Sequence, residues 1–150
     1  MRNMKDTIVV DLDGTLSDCR HRRYLVEGKH RDYDAFHRKL EEDPVNEAVR
    51  FIMRGYFNCM WPRLEIVSAR PKSYKGATCL WLEKHGIFPD AVNLLRDDGD
   101  NTPDQELKRA WLHAYGKDRI HFVIDDRQKV VDMWRAEGVP CLQFANSKED

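Results

Sequence analysis

Apolar and polar positions follow two rhythms along this chain. Short, largely apolar runs at residues 8–10, 64–67, 91–95, 120–124 and 139–144 have the length of buried strands, while the segments between them repeat apolar residues every three or four positions, as a helix face does. Tyr33, Phe36 and Leu40 share such a face in a short helix that stops before Pro44. Val45, Ala48, Val49, Ile52, Met53 and Phe57 form the stripe of a longer helix reaching to about Met60. A helix over 74–85 turns Ala77, Leu80 and Trp81 inward and stops at Gly86, which suits the left-handed position of a helix end. Thr102-Pro103-Asp104-Gln105 offers a threonine cap, a first-turn proline and a capping-box glutamine for the next helix, which ends at Gly116. A last helix over 128–137 ends at Gly138, and residues 146–150 read as a frayed tail.

Strands that alternate with helices predict an α/β protein whose parallel sheet is covered on both faces. Right-handed crossovers with the first strand central give the order 3-2-1-4-5. The 150 residues suit one domain, 1–150, with a short helical insert at about 17–43 and no internal repeat or linker. No apolar run approaches a membrane span, and residues 1–6 lead into the first strand without a signal-peptide pattern, so a cytoplasmic location is expected. Cys19, Cys59, Cys79 and Cys141 are scattered, which predicts reduced thiols rather than a zinc site or disulfide framework. The net charge of −1 conceals two local biases. Residues 17–31 carry Arg20, Arg22, Arg23, Lys29 and Arg31 against Asp18 and Glu27, whereas 97–106 carry Asp97, Asp98, Asp100, Asp104 and Glu106 with no base.

Candidate chemistry gathers at strand ends. The first strand runs into Asp11-Leu12-Asp13-Gly14-Thr15, the second into Ser68-Ala69-Arg70 and the fourth into Asp125-Asp126-Arg127, with Lys108 on the helix before the fourth. In an open parallel sheet the ligand crevice lies beyond the carboxyl ends of the strands, and strands one, two and four are neighbours in the expected order. Each motif alone has a plain structural reading. Asp and Gly make turns, a helical lysine faces solvent, and Arg70 or Arg127 can pair with a surface acid. Their convergence on one rim favours a site. Trp81, Trp111 and Trp134 stand at helical core spacing and read as packing residues, whereas Trp61 beside Pro62 has no assignment.

In this order, Asp11-Leu12-Asp13-Gly14-Thr15, Ser68, Lys108 and Asp125-Asp126 resemble the four motifs of the haloacid dehalogenase (HAD) superfamily of phosphotransferases, over residues 8–145. Val67-Ser68-Ala69-Arg70, Arg96 with Asp100, residues 124–135 and residues 138–143 more narrowly resemble the 3′-phosphatase domain of bacteriophage polynucleotide kinase-phosphatase. The resemblance implies a three-layer, Rossmann-like HAD fold with a small helical insert in place of a large cap. It also implies a phosphomonoester hydrolase in which Asp11 is the nucleophile that forms an aspartyl-phosphate and Asp13 moves the proton. Mg²⁺ would be held by the Asp11 carboxylate, the Asp13 backbone carbonyl and Asp125, with Asp126 a further ligand or a support. Lys108 would neutralise charge on Asp11 and the phosphoryl group, and Thr15, Ser68, Arg70 and Arg127 would contact substrate.

An insert this short leaves the crevice open, which suits a DNA or RNA 3′-phosphate end. The basic cluster, with Tyr24 and Tyr33, offers backbone neutralisation and base stacking, or is simply a solvated helical insert. The chain has no G-x-x-x-x-G-K-[ST], so 5′-kinase activity is not expected of it. A nucleotidase or small-molecule phosphatase is an alternative, as is a HAD-fold module that binds nucleic acid or regulates without turnover. Intact Asp11 and Asp13 count against the non-enzymatic reading, and Asp13 counts against a dehalogenase. The oligomeric state is not legible.

Overall fold

The computed structural model describes residues 4–57 and 63–145. Cys59, Trp61, the far end of the helix expected to reach Met60, the side chain of Phe57 and the tail at 146–150 lie outside the described residues. Strands β1 (Thr7–Val10), β2 (Arg63–Pro71), β3 (Ala91–Arg96), β4 (Ile120–Asp125) and β5 (Cys141–Gln143) form one sheet in the order β3-β2-β1-β4-β5. Every pairing is parallel, as expected from right-handed crossovers on either side of a central first strand. The helices are α1 (Tyr33–Arg38), α2 (Glu47–Phe57), α3 (Lys75–Lys84), α4 (Asp104–Tyr115) and α5 (Gln128–Ala136).

Because side chains alternate along a strand, β1 feeds two cores. Ile8 and Val10 pack with Val49 and Met53 of α2 and with Trp81 and Leu82 of α3. Val9 packs on the other face with Leu112 of α4 and with Val130, Val131 and Trp134 of α5. The sheet is thus the middle of three layers, and all of β1 is buried. Burial on both faces explains why its apolar run is continuous rather than alternating. No helix among the described residues is long and apolar enough to cross a membrane.

Several local expectations fail, each for a geometric reason. Val45 bridges to Ser17 instead of starting α2, and of the stripe residues whose side chains are described Val49 and Met53 are buried, while Ala48 and Ile52 are exposed. In α3, Thr78, Trp81 and Leu82 share the inner face at i, i+3 and i+4, which leaves Leu80 65% exposed. Thr102 does not cap α4, since Pro103 holds the cap position and the Thr102 hydroxyl donates back to Asp100 Oδ1 at 2.6 Å. α1 is capped by Asp32, which accepts from the Ala35 N–H, and it buries Phe36 but not Tyr33. The insert before it forms a 3-10 turn at Arg20–Leu25, consistent with its lack of a helical apolar period.

Candidate active site

The carboxyl end of the sheet is where β1 runs out into a tight loop. The Asp11 N–H donates to the Ile124 carbonyl at 3.0 Å, and the Thr15 and Ser17 N–H groups both fold back onto the Leu12 carbonyl. Gly14 makes that curl possible. Its φ is +84°, and an added Cβ would lie 2.1 Å from Asp126 Oδ2, so both backbone conformation and space exclude a side chain. The loop from β1 is therefore pressed against the end of β4, which brings the early and late aspartates together.

Asp11, Asp125 and Asp126 are buried and each places a carboxylate oxygen within 4.8 Å of the others. Lys108 reaches them from the second turn of α4, and its ammonium donates to Asp11 Oδ1 at 2.9 Å and Asp125 Oδ2 at 2.7 Å. Trp134 Nε1 donates to the same Asp125 oxygen at 3.2 Å, and the Asp126 N–H donates to Asp125 Oδ1 at 2.9 Å. The Thr15 hydroxyl lies within hydrogen-bonding reach of Asp11 Oδ2 (3.2 Å) and Asp126 Oδ1 (3.3 Å). Thr15 thus joins two carboxylates, whereas the sequence placed it among substrate contacts.

Burial and the charge of Asp125 push the Asp11 carboxyl well above its ordinary value against the pull of Lys108. Burial and Asp125 likewise raise Asp126 to about 6. For Lys108 burial disfavours the ammonium, but Asp11 and Asp125 outweigh it and hold the proton above the usual lysine range. Three carboxylates against one ammonium leave the pocket short of positive charge. Clustered hard oxygen donors with such a deficit fit a divalent cation such as Mg²⁺.

Asp13 stands apart from this group. Its Oδ1 accepts from Arg22 Nη2 at 2.5 Å and Arg70 Nη2 at 2.7 Å, and its Oδ2 accepts from Arg70 Nε at 3.1 Å. Burial would raise its carboxyl, but the Arg70 and Arg22 guanidinium groups overcome that and hold it well below the carboxylate range. Of the four aspartates that the strand ends bring to this rim, three therefore share the pocket, and the fourth is drawn aside by arginines. Arg70 is 1% exposed, so it is neither a surface salt bridge nor free for substrate in this arrangement, and its Nη1 donates to Thr78 Oγ1 at 3.0 Å. Ser68, buried at the same strand end, accepts from the Arg70 N–H at 3.2 Å. Arg127 pairs with Asp104 at 2.5 Å, the acidic-neighbour role read from the sequence.

Four participants escaped the sequence reading. Arg22 was grouped with a basic surface cluster yet has no exposed area, and it pairs with both Asp13 and Asp43. Asp43 is not singled out by the sequence, where it falls at the end of a short helix that stops before Pro44. Asp104 accepts from Arg96 Nη2 at 2.6 Å as well as from Arg127, which ties β3, α4 and the β4 loop together. Trp134 was read as packing alone, although its indole N–H supports Asp125. Only Trp134 carried a usable signal, because a buried indole needs an acceptor.

The chain matches the family model of the polynucleotide kinase PNKP phosphatase domain over residues 5–148. A protein of Autographa californica nuclear polyhedrosis virus that bears the name of a bifunctional polynucleotide kinase/RNA ligase is 26% identical over 137 residues, which cover 90% of this chain and 18% of the viral protein. A chain in the structure of the Pnkp1/Rnl/Hen1 RNA repair complex superposes with a TM-score of 0.80 at 28% identity, covering 96% of this chain and 44% of that one. A haloacid dehalogenase-like family protein from Streptococcus pneumoniae superposes with a TM-score of 0.62 at 14% identity, over 93% of this chain and 84% of its own, and shares the fold. The chain spans less than half the length of the first two relatives. A parallel β3-β2-β1-β4-β5 sheet with Asp11, Lys108, Asp125 and Asp126 at its carboxyl end thus belongs to a HAD-fold chain of the polynucleotide kinase PNKP phosphatase domain family.

Proposed function

We propose that this phosphatase-family domain is a Mg²⁺-dependent phosphomonoester hydrolase that works through an aspartyl-phosphate on Asp11 and removes 3′-phosphates from nucleic-acid ends. The observation that carries the reading is the buried Asp11–Lys108–Asp125–Asp126 cluster at the end of the central strand. Asp11 would attack phosphorus, helped by Lys108, whose proton is held by the two carboxylates it touches. The cation would supply the charge neutralisation that lets one anion approach another. Its ligands would be Asp11, the Asp13 backbone carbonyl and the Asp125–Asp126 pair, in which Lys108, Trp134 and the Asp126 N–H orient the Asp125 carboxylate and the Thr15 hydroxyl lies beside Asp126.

Asp13 has the proton-moving role. Ionised but held as a weak base between Arg22 and Arg70, it takes the proton of the water that hydrolyses the aspartyl-phosphate once it has turned away from those guanidinium groups. An incoming phosphate dianion competes for the same guanidinium groups, which weakens their hold and raises the proton affinity of Asp13 for its first task, protonating the leaving alkoxide. Ser68, Arg70, Thr15 and Arg127 would line the rim around the phosphoryl group, Arg70 once the phosphate has drawn it from Asp13.

A polynucleotide end is favoured by the family and by the insert. Arg20, Lys29 and Arg31 are exposed there, and Tyr24 is 59% exposed with Lys39 Nζ donating to its hydroxyl at 3.0 Å. With Mg²⁺, the protein should release phosphate from a 3′-phosphorylated oligonucleotide at least about tenfold faster than from a 3′-mononucleotide, the added strand contacts accounting for about 1.4 kcal/mol. The reverse ranking would point to a nucleotidase. Binding of the oligonucleotide without turnover, in a Mg²⁺-loaded sample, would point to the non-enzymatic module.

A further inference from the structure

We propose that Asp43 is a positioning residue of the reaction, holding the Arg22 guanidinium in place so that Asp13 can leave it and serve the substrate. The proposal rests on the phosphatase reading above and concerns a residue that lies in none of the recognised motifs.

Asp43 ends the helical insert just after a 3-10 turn at Leu40–Glu42, and its carboxylate has no exposed area. Donors converge on it from the other end of the insert. Arg22 Nε donates to Oδ1 at 2.7 Å and Arg22 Nη2 to Oδ2 at 2.6 Å, a side-on fork, while the Ser17 hydroxyl also donates to Oδ2 and His21 Nε2 lies 2.7 Å from Oδ1. The backbone of the same residue is anchored to the core, its carbonyl accepting from Trp81 Nε1 on α3 at 2.8 Å. Arg22 is then fully engaged. Its Nη1 donates to the Phe36 carbonyl at 3.0 Å, and its guanidinium lies 4.0 Å over the Phe36 ring.

One nitrogen links the two carboxylates, because the Arg22 Nη2 that donates to Asp43 also donates to Asp13. A carboxylate clamped by two buried guanidinium groups is poorly free to turn toward a substrate, since turning away strands both cations in a dry site. Asp43 removes that obstacle at Arg22, whose fork stays paired and oriented whichever way Asp13 faces. Arg70 keeps its bond to Thr78, and its Nη2 is 3.9 Å from Asp43 Oδ2. The insert thereby serves the chemistry as well as the substrate.

The Asp43→Asn variant keeps the shape and one acceptor but removes the charge, leaving Asp13 as the sole counter-ion of Arg22. Two phosphate esters assayed with Mg²⁺ separate positioning from general damage. β-Glycerophosphate loses an alkoxide that needs a proton, whereas nitrophenyl phosphate loses a phenolate that does not. The value of kcat/KM reports only the steps up to phosphoryl transfer to Asp11. It should fall at least about thirtyfold for β-glycerophosphate and less than about fivefold for nitrophenyl phosphate. Equal losses on both esters, or no loss, in protein that unfolds within a few degrees of wild type would overturn the role. If Asp43→Asn does not fold, Ser17→Ala, which removes one donor to Asp43 and no charge, should show the same divergence at about three- to tenfold. An unchanged ratio there overturns the role equally. Wild-type protein that releases phosphate from neither ester sinks the phosphatase reading and this role together, whereas an active wild type with unaltered ratios in the variants sinks the role of Asp43 alone.

Discussion

Asp126 combines two properties that make it a useful probe of the pocket. It is buried beside Asp125, and Gly14 leaves it just enough room. In the fold its carboxyl titrates near 6 against 3.8 for the ordinary group, so between those values the folded protein binds the extra proton. The stability this group contributes is therefore full below about 3.8 and lost as pH rises through about 6. In chelator, urea unfolding should show wild type losing about 1–3 kcal/mol relative to Asp126→Asn as pH goes from about 4 to about 7. Added Mg²⁺ should restore wild type and leave the variant little changed; a difference flat with pH and indifferent to metal would refute the account. At this scale the sequence was informative about chemistry and silent about partners. Asp11, Asp13, Lys108, Asp125 and Asp126 announced themselves by type and position, but the turning of Asp13 toward Arg22 and Arg70 depends on side chains 9 and 57 residues away.

The elements that bear these residues are aimed by ties between them. Lys108 points at Asp11 because the start of α4 is fixed by Asp104, which binds Arg96 at the end of β3 and Arg127 beyond β4. Arg96 extends that tie by donating through Nη1 to the Asp100 and Thr102 carbonyls, each at 2.8 Å. The Asp104→Asn variant should lower kcat for any ester at least about tenfold while costing about 1 kcal/mol in thermal or urea unfolding, because these groups are partly solvated but Lys108 sits one turn away. Wild-type kcat in a folded variant would show that α4 is aimed by core packing alone. Element existence was legible because apolar period depends on local sequence. Boundaries and caps were less so. Thr102 had the pattern of a cap yet turned to Asp100, and Leu80 had the composition of a core residue yet faces outward, since neighbouring elements decide which local option is used.

On the scale of the whole molecule, the five-stranded sheet presents its acidic pocket at one end with a basic, aromatic segment beside it. A polymeric substrate should feel that insert through salt. The kcat/KM for a 3′-phosphorylated oligonucleotide should drop at least about tenfold between about 50 and 200 mM salt, with nitrophenyl phosphate nearly unaffected. The combined Arg20→Ala, Lys29→Ala and Arg31→Ala protein should flatten that slope without changing nitrophenyl phosphate turnover. Equal salt dependence for both substrates would remove the insert from strand binding. The sequence by itself determined the strand order and the rim at which the acids gather, because period, turn residues and crossover handedness act through local chemistry and general chain geometry. Only the tertiary structure decided that Arg22 is buried rather than solvated, that Asp43 faces it, and that three carboxylates rather than four share the pocket. Those outcomes depend on the balance between desolvation and pairing among charges far apart in the chain, and no local pattern of residues encodes that balance.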